Sequence, residues 1–145
     1  MFGFSRANRA AAYARVDAET SVQAASPHKL ILMLYDGALV ALRTAVVAMD
    51  NKDIPTKGSS ISKAINIIDN GLKVSLDLNA GGELAARLSA LYEYMSERLL
   101  YANLHSNEAA VQEVIGLLDT LREAWMGIAE QGETAAAAPA VAAAN

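Results

Sequence analysis

Two histidines, a glycine pair and a scatter of carboxylates are the first groups in this chain to test for chemistry, and their spacing argues against each chemistry in turn. His28 falls in the first turn of a predicted helix and His105 near the end of another. Neither has a Glu three residues before it, so the carboxylate and histidine pattern with which helical bundles hold two irons is absent. Gly81 and Gly82 follow a helical stretch rather than a strand, with no Lys and Ser or Thr after them at phosphate-loop spacing, which makes them a turn device. The acids occur singly. Asp69 has Lys73 four residues on, the spacing of a modest helix-stabilising ion pair. The sequence contains no cysteine, hence no disulfide framework and no thiolate metal site, as fits a reducing cytosol. The expectation is a protein that is not an enzyme and uses no cofactor or metal.

The elements that would position these residues are helical. The chain has 145 residues, 53% apolar, 6% aromatic and 19% charged, a composition far from the disordered class and rich in Ala and Leu, which favour helix. Its length suits one domain. The net charge of −4, with basic residues scattered, predicts no nucleic-acid partner. Ser26 is a good N-cap and Pro27 suits a first helical position, so a helix is expected from Pro27 to Asp50. Asp53 caps a second, Ile54 to Leu78, with Ile61, Ala64, Ile65, Ile68, Leu72 and Leu76 as its apolar stripe. Residues 79–82 read as a tight link in which a glycine takes the left-handed conformation. A third helix, Glu83 to Leu104, spaces Leu84, Leu88, Leu91, Met95, Leu99 and Ala102 along one face. Asn107 caps a fourth, with Val111, Val114, Ile115, Leu118, Leu121, Trp125 and Ile128 facing inward and Gly132 as its stop. Four helices of this length with short connections predict an all-α, antiparallel up-down four-helix bundle over residues 26–131. Residues 1–25 read as a flexible N-terminal arm, and 132–145 as a disordered Ala-rich tail.

The first helix carries more apolar surface than one bundle core needs. At about 100° per residue, its polar sector holds Lys29, Asp36, Arg43 and Asp50, interrupted by Leu32 and Val47, and spans roughly a quarter of the circumference, whereas a surface helix needs an apolar stripe of about 100° or a little more. The surplus predicts a binding flank. Leu30, Leu34, Ala41 and Ala45 lie mid-arc as core candidates, leaving Tyr35, Leu39, Leu42 and Val46 on one flank and Met33 with Val40 on the other. The helix is also long enough to span a bilayer. Asp36 and Arg43 would then sit near its centre at about 2.5 to 3.5 kcal/mol each, and both fall on the polar sector, so a soluble amphipathic helix is expected and no membrane insertion. Arg6, Arg9 and Arg15 give the first residues a transit-peptide composition, but the continuous apolar core of a secretory signal is missing.

A set of local strings adds to this. Ala25 Ser26 Pro27 His28 Lys29 Leu30 Ile31 opens the first helix and Met33 Leu34 Tyr35 Asp36 Gly37 Ala38 continues it. Lys63 Ala64 Ile65 Asn66 Ile67 Ile68 Asp69 Asn70 Gly71 Leu72, Gly81 Gly82 Glu83, Leu91 Tyr92 Glu93 Tyr94 Met95, Arg98 Leu99 Leu100 Tyr101 Ala102 Asn103 Leu104, and Leu117 Leu118 with Arg122 Glu123 Ala124 Trp125 follow. In this order and spacing, from about Tyr13 to Ile128, they closely resemble the flagellar export chaperones of the FliS family. The resemblance implies a cytoplasmic bacterial protein that binds the disordered C-terminal segment of flagellin in apolar grooves, prevents premature polymerisation and helps deliver the subunit to the export gate protein FlhA.

The family's N-terminal segment carries a tyrosine shortly before the Ser-Pro helix start, which covers an apolar groove in the free chaperone; Tyr13 occupies that position here. Ala10 is small where a larger aliphatic residue precedes that tyrosine by a turn, which predicts a weakly docked arm. The expected client-binding or groove-capping set is Tyr13, Val16, Ile31, Met33, Tyr35, Leu39, Leu42 and Val46. Two other readings remain at this point: a bundle that uses its apolar flank to form a homodimer, and a small-ligand bundle with a pocket near Tyr92 and Tyr94.

Overall fold

The computed structural model describes residues 26–135, with side chains described as far as Ile128. It is all-α: among the described residues there are four helices and no strand. They are α1 (Pro27–Asp50), α2 (Ile54–Ile67), α3 (Leu78–His105) and α4 (Glu108–Ala135), with a π-helical turn, Ile68–Lys73, continuing α2.

The helix starts follow the local chemistry. The Ser26 hydroxyl accepts from the Lys29 amide at 3.1 Å, the Asp53 carboxylate from Thr56 at 3.2 Å and the Asn107 side chain from Ala110 at 3.0 Å. Each satisfies one of the amides that a helix start leaves without an intrahelical partner. Lys52 turns the chain out of α1 in a left-handed conformation, φ 57°, and the Asp53 amide closes back on the Ala48 carbonyl at 2.8 Å.

The structure corrects the sequence-based boundaries in two places. The link between α2 and α3 lies at residues 74–77, five residues earlier than the expected link at 79–82. Asp77 accepts from the Asn79 and Ala80 amides at 3.1 and 2.9 Å, so a helical turn already begins at Leu78, ahead of the break at Gly82 after which the expected helix runs. Gly82 still takes positive φ, 61° with ψ −138°, but as a kink inside α3; only glycine enters that region without strain. At the other end α4 continues three residues past Gly132 to Ala135, into the stretch read as tail.

The core forms where the apolar stripes meet. Leu42, Ile61, Ile68, Leu72, Met95, Leu99, Val111, Val114 and Leu118 are its largest fully buried side chains, each worth about 1.5–3 kcal/mol for full burial. Small residues let the backbones approach: a Cβ on Gly71 would lie 3.1 Å from Leu34 and one on Gly37 3.4 Å from Ile67. Polar links then fix which residues face each other. Asp36 pairs with Arg122 and Arg43 with Asp119, so α1 and α4 run in opposite senses where they meet. Lys57 reaches Asn103 and Ser106, Asp69 accepts from Ser96, and Lys73 pairs with Glu93, a descending register that sets the α2 and π segment against α3 in the same opposed way.

Candidate functional site

Tyr35 and Tyr92 come closest to a chemical site, and the structure makes them part of the core. Their hydroxyls share a 2.6 Å hydrogen bond between α1 and α3, with 3% and 2% of the residues exposed. Burial raises the pKa of both phenols above the ordinary value, most strongly that of Tyr92, beside which Tyr35 also disfavours the charged form. Two neutral phenols satisfying one another have no base to activate either. Tyr94, two residues on, lies on the opposite side of α3, exposed and bonded to Glu113, so Tyr92 and Tyr94 do not line a common pocket. Among the described residues no three His, Asp or Glu side chains gather as a metal site would require.

Lys57 is the other buried polar group of note. Its ammonium donates to the Asn103 carbonyl at 3.0 Å and to the Ser106 hydroxyl at 2.7 Å, beside the last turn of α3, where helix carbonyls accumulate negative charge. Ser106 holds a left-handed conformation, φ 48°. The lysine is therefore a strap between the start of α2 and the end of α3.

What the fold leaves over is apolar surface. On α1, Met33, Val40 and Val47 are exposed at seven-residue intervals, Val40 by 62%. On the C-terminal half of α3, Leu100, Tyr101 and Leu104 are exposed, Leu104 by 79%. Arg98 lies 5.0 Å from the centre of the Tyr101 ring, and His105 packs against that ring on the other side in sequence. Charged side chains border the α1 stripe through Asp36 and Arg43, whose partners Arg122 and Asp119 come from α4.

The expected site set separates against this geometry. Tyr35, Leu39 and Leu42 are not on a flank; they belong to the core, Leu42 with no exposed surface. Ile31 and Val46 are half-buried and pack on that core, and Leu34, expected mid-core, is likewise only half-buried. Met33 is exposed with Val40, as the second flank of the helical wheel has it. Tyr13 and Val16 lie outside the described residues. The wheel is rotated by about 60° at 100° per residue, because its apolar arc includes an exposed strip that is not core. Val47, read from sequence as an interruption of the polar sector, completes that strip. Its signal was the repeat of seven from Met33 through Val40. Leu100 and Leu104 fall outside the core stripe of α3, which is the property that exposes them.

Among the described residues the chain is a helical scaffold with a buried apolar core and two exposed apolar strips on different helices. The model of the family described as flagellar protein FliS matches residues 9–132. The chain is 54% identical to the flagellar secretion chaperone FliS of Salmonella typhimurium over 117 residues, covering 81% of this chain and 87% of that one. It is 48% identical to the FliS of Escherichia coli, over 79% of this chain and 84% of that one. Against the chaperone FliSB of Pseudomonas aeruginosa identity is 45%, over 80% and 91%. The chain belongs to the FliS family of flagellar secretion chaperones.

Proposed function

We propose that this protein is a cytoplasmic export chaperone without enzymatic activity, which holds the disordered C-terminal segment of flagellin on its exposed apolar strips, keeps it from polymerising and helps deliver it to the export gate protein FlhA. The observation that carries the reading is the strip Met33, Val40, Val47 on α1, in a chain of the FliS family whose core is complete without it. A second exposed strip on α3, Leu100 to Leu104, favours an extended client over a compact one, since one disordered segment folding on contact can serve patches on different helices. Polar rims and modest apolar area suit a cargo that must be released: folding on binding spends several kcal/mol on ordering the client.

The test is calorimetric titration of the full chain with a synthetic flagellin C-terminal segment. The expected result is a 1:1 complex, a helical signal gained by the peptide and a clearly negative heat-capacity change, the marker of apolar burial. Absence of binding at about ten micromolar, an affinity of roughly 7 kcal/mol, would remove the client from the account.

A further inference from the structure

The last turn of α3 carries the most exposed large apolar side chain among the described residues, Leu104, on the part of a helix least able to hold it. A helix's last four carbonyls have no intrahelical partner. Of residues 102–105 only Ala102 is buried; Asn103 is half-buried, and Leu104 and His105 are exposed. One buried methyl group offsets little of the entropy lost when a turn is ordered. By its own packing, then, the end of the strip Leu100, Tyr101, Leu104 is a turn that frays.

What holds this turn comes from another helix. The Ala102 carbonyl accepts the amides of Ser106 and Asn107, and the Asn103 carbonyl accepts the Lys57 ammonium, which also donates to the Ser106 hydroxyl. Lys57 is buried. Its own amide bonds to the Asp53 carbonyl at 3.0 Å, in a first turn that the Asp53 side chain caps, so the side chain is rooted in an ordered helix start. It grips the residue before Leu104 and the second residue after it.

We infer that Lys57 is a positioning residue for client binding, whose ammonium fixes the last turn of α3 so that Leu100, Tyr101 and Leu104 meet the flagellin segment as a formed helical strip, an inference that rests on the reading of that strip as a client surface. Lys57 itself is buried and acts through Asn103 and Ser106 rather than on the client. A buried charge is costly, and its replacement by an apolar side chain of similar size is often neutral for stability. What Lys57 supplies is therefore geometry. A surface ordered before contact spares the complex the cost of ordering it, whereas a surface formed only part of the time lowers the apparent affinity by that fraction. The strip Met33, Val40, Val47 lies on α1, away from this corner, and serves as the internal control.

The test is a double-mutant cycle on the full chain, with a synthetic flagellin C-terminal segment as the ligand. Lys57→Met keeps an unbranched stem and removes the ammonium. The expected result is a protein that still melts cooperatively, exchanges the Ser106 and Asn107 amide hydrogens faster, and binds the peptide about fivefold more weakly. Combined with Leu104→Asp, the loss caused by Lys57→Met is expected to vanish, because the strip it positions is already disabled; combined with Val40→Asp, it is expected to persist in full. Ser106→Ala removes one of the two acceptors and should give a smaller loss with the same dependence, which decides the matter if Lys57→Met does not fold. A loss of equal size in all three backgrounds makes the lysine a general structural residue and overturns the inference. So does a Leu104→Asp protein that binds the peptide as tightly as the parent, while Val40→Asp still tests the α1 strip. A peptide that binds neither the parent nor any variant removes the client reading itself, and the inference with it.

Discussion

The two faces of α1 are built from similar residues in opposite circumstances. One carries Leu39, Leu42 and Ala45, buried against the other helices; the other carries Met33, Val40 and Val47, exposed to solvent. The buried face also contains a hydroxyl, Tyr35, held by Tyr92, while the exposed face is edged by full charges. Apolarity alone therefore does not decide which side of a helix is core. Its neighbours do, through small residues such as Gly71 that admit Leu34 closely and through the buried hydrogen bond between Tyr35 and Tyr92.

Truncation to alanine on each face should separate them most clearly. Leu42→Ala removes a fully buried side chain and is expected to cost about 2–5 kcal/mol in urea denaturation. Val40→Ala should stay within about 0.5 kcal/mol of the parent. Equal losses at the two positions would dissolve the distinction.

Next in size is the tyrosine pair. Tyr92→Phe leaves the Tyr35 hydroxyl buried without its partner and should cost about 1–3 kcal/mol, whereas replacing both by Phe should recover most of that loss. The same pair gives the buried face an alkaline limit. Both phenols are held neutral above their ordinary pKa of 10.0 in the fold, while in the unfolded chain they ionise near that value. Their contribution is fully present below pH 10.0 and is lost as pH rises beyond it. Melting temperature against pH should fall more steeply above that point in the parent than in the double Phe variant.

The smallest effect belongs to the charged edge. Arg43 and Asp119 are 3.2 Å apart and both about half exposed, so Arg43→Ala should change stability by no more than about 1 kcal/mol, and by less in high salt. A loss as large as that at Leu42 would place the ion pair, rather than the apolar contacts, in control of the helix's position.

Much of this was legible in the sequence because it is local. Ser26, Asp53 and Asn107 announce helix starts through side chains that act within three residues, and α1 has the bounds that Ser26, Pro27 and the loop after Asp50 imply. The all-α class follows from the same signals. What escaped depends on longer range. Asp77 caps a helical turn ahead of the glycine pair through Asn79 and Ala80, which composition does not reveal, while Gly82 breaks the helix just before Glu83 as its sequence implies. The π turn after Ile67 extends α2 without any breaker to mark it. The rotation of α1 is set by contacts with Gly71, Tyr92 and Arg122, residues far along the chain, so a wheel centred on its own apolar arc put Tyr35, Leu39 and Leu42 on the wrong side of the core boundary. Lys57 is the converse case: a lysine in a first helical turn reads as solvated, and only the approach of Asn103 and Ser106 gives it a buried role.

The central claim is that the exposed strip of α1, and not its buried face, receives the flagellin segment. The direct measurement is the affinity of the flagellin C-terminal peptide for the parent and for Val40→Asp, with the melting temperature of each. The account predicts a melting temperature unchanged within a few degrees, as for a surface substitution, and an affinity lower by about tenfold or more, roughly 1.4 kcal/mol. Peptide binding of undiminished strength in a folded Val40→Asp protein would contradict it.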